Sequence, residues 1–325
     1  MPVAPRRLLV IAAYMLAWIV LTAGAPVLVV IAAVHDLVRR NRGAGLRLLA
    51  LAWFYFAAEL LCLLLVGLAG LRWGLVTPSR ERFLAAHYRL QDAWVGSIFA
   101  AVRRVMGLRL IVEGAELAAP GPIVVFVRHA SFLDTLLPGV ILARPHGLRL
   151  RYVLKKELRL DPCLDVVGGR LPNYFVDRGG ESSVEIAAIG ALARDLGRDE
   201  GVLIYPEGTR FTPGKRARAL ERLRTDDPAR YPAASALTHT LPPRPGGPLA
   251  LLAAAGTDVV FVAHRGLEGF MSLHDLLAGL PIGGLVQVWV WRVPAAAIPR
   301  DRAGRIAWLD RQWARVDRLA AGTAA

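Results

Sequence analysis

The chain has 325 residues, 55% of them hydrophobic, and a mean hydropathy of +0.42; it is too apolar to be disordered and high for an ordinary soluble enzyme, so membrane segments are sought first. A formal charge of +14 points to phosphate-rich partners or an anionic membrane surface, although a bias to arginine accounts for much of it, since only Lys155, Lys156 and Lys215 among the 40 basic residues are lysines. Two isolated cysteines, Cys62 and Cys163, exclude a disulfide-framed secreted scaffold and fit a reducing compartment, and no Cys/His cluster has zinc-ligand spacing.

Residues 8–34 form an uncharged run of 27 residues, long enough to cross a bilayer. A cleaved signal peptide would lead into a polar mature chain; here a second apolar run, residues 48–71, follows, which predicts a retained two-helix membrane anchor over residues 1–76. Gly24 and Pro26 interrupt the first run and predict a kink or a turn back. The turn between the runs carries Arg39, Arg40, Arg42 and Arg47, whereas the outer flanks carry six arginines. That asymmetry favours a cytoplasmic main domain, and a monotopic hairpin would make the comparison unnecessary. Glu59 sits within the second run, where a carboxylate costs roughly 2.5 kcal/mol or more; it is read as hydrogen-bonded or protonated inside the hairpin, with a functional role as the alternative.

From about residue 78, helix and strand signals alternate. Residues 82–106 read as an amphipathic helix with Phe83, Leu90, Trp94, Ile98 and Val105 near one face. Short β-rich runs follow at 108–112, 123–127, 152–154, 174–176, 202–205, 259–263 and 286–291. Helical stretches separate several of them, such as 182–196, which opens with the capping pair Ser182 and Glu185. This alternation predicts a single α/β domain over residues 77–325 with a largely parallel sheet flanked by helices. Residues 225–248, rich in Pro, Asp, Arg and Gly, read as a long surface loop, and Ile306, Leu309, Trp313 and Val316 predict a final helix.

Two segments carry chemistry. The strand 123–127 is followed by Arg128, His129, Ala130, Ser131, Phe132, Leu133 and Asp134. Residues five apart on one straight helix are rotated by about 140°, so His129 and Asp134 meet only if His129 ends the strand, Ser131 caps the next helix and Asp134 lies in its first turn. An imidazole hydrogen-bonded to a carboxylate has a fixed tautomer and raised basicity, as removal of a proton from an alcohol requires. Ser-x-x-Asp is equally a capping box, in which Asp134 serves only the helix end. Arg128 is expected beside the base, disfavouring its imidazolium, unless strand alternation turns it to the other face.

The second segment, Tyr205, Pro206, Glu207, Gly208, Thr209, Arg210 and Phe211, follows a strand and sets a glycine turn, a hydroxyl and a guanidinium at the edge of the sheet where ligands bind. A planar guanidinium suits a phosphate. Residues 174–178 end in Asp177 and Arg178, and Lys155-Lys156-Glu157-Leu158 and Lys215 stand out in an arginine-biased chain, each otherwise a solvated charge.

The order and spacing of these segments resemble the glycerolipid acyltransferase family, whose best-known members are the 1-acylglycerol-3-phosphate acyltransferases. His129, Ser131 and Asp134 match its first motif, residues 155–158 its Lys-Lys-Glu-Leu stretch, residues 175–178 its second motif, and residues 205–210 its Phe-Pro-Glu-Gly-Thr-Arg motif. Pro243, Arg244, Pro245, Gly246 and Gly247 are similar to a Pro-Arg-x-x-Gly element of the branch with lysocardiolipin acyltransferase-like members. With the apolar hairpin, the resemblance covers nearly the whole chain. Arg128 departs from the usual Asn, and residues 259–263 lack the fourth motif's usual Pro.

The resemblance implies transfer of a fatty acyl group from acyl-CoA or acyl carrier protein to the free hydroxyl of a lysophospholipid, foremost 1-acylglycerol-3-phosphate, giving phosphatidic acid. It implies His129 as general base, Asp134 as its support, and Arg178, Glu207, Gly208, Thr209 and Arg210 around the acceptor phosphate. Lys155, Lys156, Lys215 and Arg244 are further substrate contacts in the same reading. No metal and no bound cofactor are expected, and without a Gly-x-Ser-x-Gly elbow no acyl-enzyme is expected. The expected location is a membrane, foremost a bacterial inner membrane, with the catalytic domain on its cytoplasmic face. Reacylation or CoA-independent transacylation of another lysophospholipid is the nearest alternative, and a catalytically silent lipid-binding protein is another. No nucleic-acid module is recognisable, so nucleic acid is not an expected partner.

Overall fold

The computed structural model describes residues 3–75, 77–177 and 182–322. In chain order, helices α1 (Val3–Ala23), α2 (Ala25–Arg39), α3 (Ala44–Leu75) and α4 (Arg80–Met106) lead into strands β1 (Arg109–Glu113) and β2 (Ile123–Val127). The short helix α5 (Arg144–His146) precedes β3 (Arg149–Lys155), and α6 (Pro162–Val166) precedes β4 (Tyr174–Val176). Then come α7 (Ser182–Ala191), β5 (Glu200–Ile204), α8 (Pro213–Asp226), α9 (Tyr231–Ser235), α10 (Gly246–Ala255), β6 (Asp258–Arg265), α11 (Leu273–Leu277), β7 (Leu285–Val293) and α12 (Arg302–Ala321). The chain forms two compact units. The first is Met1–Arg109 with Leu154–Phe175 and Ser272–Gly284; the second is Leu110–Val153 with Val176–Met271 and Leu285–Ala325.

In the first unit the segment expected as a two-helix anchor folds as three helices, of which α1 and α3 are the two of spanning length. Gly24 ends α1, and Pro26 lies in the first turn of α2, where its missing N–H would have no helical partner. Residues 3–23 and 44–73 are long and apolar enough to cross a membrane; α2, with 15 residues, is shorter. The buried Asp36 makes the turn into α3, accepting from the amides of Gly45 (2.7 Å) and Leu46 (2.9 Å) and so taking two of the helix's unpaired N–H groups. Glu59 is fully buried in α3 and hydrogen-bonded: it accepts from the Trp94 indole (2.7 Å) and the Cys163 amide (3.1 Å). At the other end of α1, Arg6 and Arg7 converge on Asp165 in α6.

Helix α4 begins on the Ser79 cap, but its buried stripe is Tyr88, Trp94, Val95, Phe99, Val102 and Met106. The expected face is therefore displaced by about one residue, and only Trp94 belongs to both. Tyr88, Val95 and Val102, with Phe99 and Met106, repeat every seven residues, the spacing of a seam along a neighbouring helix.

The second unit is built on the sheet. All seven apolar runs are strands, in the order β1-β7-β6-β2-β5-β3-β4. β2 runs parallel to β5 (Ile123 beside Gly201) and to β6 (Ile123 beside Asp258), β3 runs parallel to β5, and β7 is antiparallel to β6. Every residue of β2 is buried, as expected of a central parallel strand covered on both faces. Phe261 stacks on Trp291 at 5.2 Å and meets Trp308 of α12 edge-on, which fixes the final helix on the sheet; Leu309, Trp313 and Val316 are buried with it.

Two expectations in this unit are corrected. The helix at 182–196 ends at Ala191. Residues 225–248 are not a surface loop: they include α9 and the start of α10, and Leu237, Thr240 and Leu241 are buried. Distant side chains hold this polar segment. Asp317 accepts from the amides of Thr238 and His239 and from the Thr240 hydroxyl, and Arg230 is clamped by Asp310.

Candidate active site

Because β2, β5 and β6 are parallel, the residues that follow them collect at one edge of the sheet. The Arg128 amide still bonds the Val262 carbonyl (3.0 Å), and the chain then turns out of the ladder. His129 stands at this turn with its side chain 9% exposed, and Asp134 lies, fully buried, in a 3-10 turn at Leu133–Thr135 instead of the expected α-helix. The two meet: His129 Nδ1 donates to Asp134 Oδ1 at 2.9 Å.

The other carboxylate oxygen, Oδ2, accepts from the amides of Ala130 and Ser131, both at 2.6 Å. Capping and support of the histidine are thus divided between the two oxygens of one side chain. Burial pushes the Asp134 carboxyl up. The hydrogen bond and charge of His129, the nearby His264 and the Ser131 amide outweigh it and hold the group below its ordinary value, so it is a carboxylate at neutral pH. Since a carboxylate only accepts, the proton of the neutral ring sits on Nδ1 and the lone pair on Nε2.

The 205–211 segment supports the same turn. Glu207 is buried; its Oε1 accepts from the His129 amide and its Oε2 from the Leu241 amide, both at 2.8 Å. The Phe211 amide donates to the His129 carbonyl at 2.9 Å, so both backbone polar groups of His129 are held by this segment. Glu207 therefore leaves the set of residues expected around a phosphate: its two oxygens face inward onto amides. Burial, against the pull of those amides and of Arg128, pushes its carboxyl up to about 8.

Gly208 adopts φ +67°, and Arg244 lies where its side chain would be, with Cδ 3.1 Å from an added Cβ. Lys215 Nζ donates to Thr209 Oγ1 (3.0 Å) and to the Arg210 carbonyl (3.1 Å). Arg210 is half-buried, and among the described residues its guanidinium has no hydrogen bond or ion pair. Lys155 closes β3 and Lys156 opens the 3-10 turn Lys156–Leu160, both in the first compact unit. Arg178 lies outside the described residues.

Arg128 is 1% exposed, and its guanidinium donates to Glu268 (2.6 Å) and to the carbonyls of His264 (2.6 Å) and His239 (3.0 Å). Its charge is answered by Glu268, so the expected pairing with the base is replaced by a buried tie between the ends of β2 and β6.

Composition and motif reading missed His264 and Glu268. His264 is fully buried; its Nε2 donates to the Arg128 carbonyl (3.0 Å) and lies 3.6 Å from Asp134 Oδ2. A histidine ending the apolar run 259–263 was the available signal, because β6 lies beside β2 and delivers it to the same edge. Among the described residues no group of three or more His, Cys, Asp or Glu side chains is placed to hold a metal.

Residues 109–260 match the family model for acyltransferases. Lysocardiolipin acyltransferase 1 of Danio rerio is 22% identical over 260 residues, covering 75% of this chain; the chain spans 63% of that relative's length. The crystal structure of the 1-acyl-sn-glycerophosphate (LPA) acyltransferase PlsC from Thermotoga maritima covers 86% of this chain and 97% of its own with a TM-score of 0.57, at 17% identity, a likeness of fold.

Proposed function

We propose, from the match of residues 109–260 to the acyltransferase family and the motifs that they carry, that the chain is a glycerolipid acyltransferase, transferring a fatty acyl group from a thioester to the free hydroxyl of a lysophospholipid, 1-acylglycerol-3-phosphate foremost. The observation that carries the reading is the His129–Asp134 bond, which leaves Nε2 as an acceptor at the edge of the sheet. Nε2 takes the hydroxyl proton as the oxygen attacks the thioester carbonyl. Asp134 stabilises the imidazolium, and collapse of the tetrahedral adduct expels the thiolate, which recovers the proton from Nε2.

In this reading Arg210 receives the acceptor's phosphate by paired hydrogen bonds, on a turn shaped by Gly208 and Thr209. Lys155, Lys156, Arg178, Lys215 and Arg244 are further contacts, and Glu207 positions the base. The donor is acyl-CoA or acyl carrier protein. Helices α1 and α3 seat the protein on a membrane, in support of which stand their length and apolarity; a bacterial inner membrane with the site on the cytoplasmic face fits the arginine asymmetry.

The test offers the full chain, purified in detergent, a panel of lysophospholipids with acyl-CoA and with acyl carrier protein, and reads the products by mass spectrometry. Acylated product from the native chain, and a loss of roughly 10²- to 10⁴-fold in His129→Ala, is expected; turnover unchanged in His129→Ala would overturn the assignment.

A further inference from the structure

A cleft of about 360 Å³ opens between α8 and residues 241–245, its inner wall made by Glu207 and Thr209. That volume lies within the range of small-molecule sites, about 300–1,000 Å³. Five cationic side chains line it: Lys215, Arg218, Arg222, Arg230 and Arg244. Arg230 is answered by Asp310. The one acidic side chain in the lining is Glu207, whose oxygens both face backbone amides.

A row of arginines on a helix is usually a solvated face, and three features separate this one from that case. Lys215, Arg218 and Arg222 stand at i, i+3 and i+7 of α8, one face of the helix, which is turned into a concavity. Like charges at i and i+4 weaken a helix, so Arg218 and Arg222 are not arranged for helix stability; among the described residues neither has a hydrogen bond or ion pair. The opposite wall is rigid: Pro242, Pro243 and Pro245 flank Arg244, whose amide bonds the Pro206 carbonyl (2.8 Å) and whose side chain lies over Gly208. By contrast, Arg216 on the same helix turns inward onto the carbonyls of Ser235 and Leu237.

We propose that this cleft is a second anion subsite, which takes a phosphate group other than the one beside the acylated hydroxyl. The proposal rests on the acyl-transfer reading and places in the cleft a phosphate remote from the reacting atoms: either that of a thioester whose carrier ends in a phosphorylated nucleotide, or the second phosphate of a glycerolipid acceptor.

The test is the double variant Arg218→Ala/Arg222→Ala in the full chain; both positions are exposed and Ala keeps the helix, so thermal unfolding should be little changed. One arm compares KM for acyl-CoA and for acyl-pantetheine, which lacks the nucleotide. The other compares a singly phosphorylated with a doubly phosphorylated lysolipid. A rise of about tenfold confined to acyl-CoA assigns the cleft to the donor, and one confined to the doubly phosphorylated lysolipid assigns it to the acceptor. KM values unchanged for all four, or raised equally for all four, would overturn the subsite. Calorimetric titration with adenosine 3′,5′-bisphosphate and with glycerol 1,3-bisphosphate is the arm that needs no turnover. Binding of either that weakens with salt and is about tenfold weaker in the variant would sustain the subsite even if the native chain acylated nothing, in which case the acyl-transfer reading alone would fail; in such an inactive chain, no difference between native and variant would end both.

Discussion

Replacing Asp134 by Asn separates the two duties of that side chain without changing its size. Oδ2 accepts two buried amides at 2.6 Å, so the Asn carbonyl must stay there; turning the NH₂ group onto those amides would set donor against donor, at about 1–3 kcal/mol for each N–H left unsatisfied. The NH₂ group then faces His129 Nδ1, which becomes an acceptor. The ring proton moves to Nε2, and the atom that should remove the hydroxyl proton is already protonated. An imidazole held in the wrong tautomer loses up to about 10⁴-fold in rate. We expect kcat to fall by roughly 10³- to 10⁴-fold with KM for both substrates within about twofold, because no substrate contact is altered. The capping amides keep their acceptor, so Tm should move by only a few degrees. Release of free thiol from the thioester in the presence of lysolipid measures kcat directly. A variant with near-native kcat, or one whose loss lies entirely in KM, would show that Asp134 serves the turn and not the base.

Glu207→Ala leaves the buried amides of His129 and Leu241 without acceptors and should cost about 2–5 kcal/mol by denaturant unfolding, with most activity lost, whereas Glu207→Gln keeps one of the two bonds and should fall between. Arg128→Asn removes the tie to Glu268 and two carbonyls; with Glu268 42% exposed, we expect about 2–3 kcal/mol and a Tm lower by several degrees. In a double-mutant cycle Glu268→Gln should then cost little more. Burial, reinforced by Arg128, pushes the His264 imidazole down to about 4, although Asp134 pulls it up. The unfolded chain, with a histidine near 6.5, therefore binds a proton that the folded one refuses, so this group's share of stability is complete above about pH 6.5 and is lost as pH falls toward 4, by roughly 2 kcal/mol at pH 5. His264→Gln should flatten the difference in unfolding midpoint between pH 7 and pH 5; an unchanged difference would place that acid sensitivity elsewhere.

The strands were legible because a parallel strand buried on both faces reads as an unbroken apolar run, as Ile123-Val124-Val125-Phe126-Val127 does. The His129–Asp134 pair was legible because its partners lie five residues apart and one tight turn closes the distance. What supports the pair was not. Glu207 is 78 residues from His129, His264 is 136 from the Arg128 carbonyl it meets, and Glu268 is 140 from Arg128; such partners depend on which strands are neighbours, which motif reading does not supply. Residues 225–248 failed for the same reason, since their polar composition suggested solvent while Asp317 and Arg216 supply the hydrogen bonds from elsewhere. The break in the first apolar run was legible in Gly24 and Pro26, but the third helix that it makes was not, because Pro26 restarts a helix as readily as it ends one.

The bonds of Glu59 also set an order of events on the ribosome. Its partners lie 35 and 104 residues downstream, at Trp94 and Cys163. At roughly 5–20 residues per second, α3 is complete for about 5–20 seconds before the Cys163 amide is synthesised. Throughout that interval an apolar helix carries a carboxyl without its full set of donors, so the hydrogen bonds of Glu59 are completed only after the chain has passed residue 163. Nascent chains halted before that point should be degraded faster than chains long enough for residue 163 to have left the ribosome, a difference that pulse labelling of stalled translation products would measure.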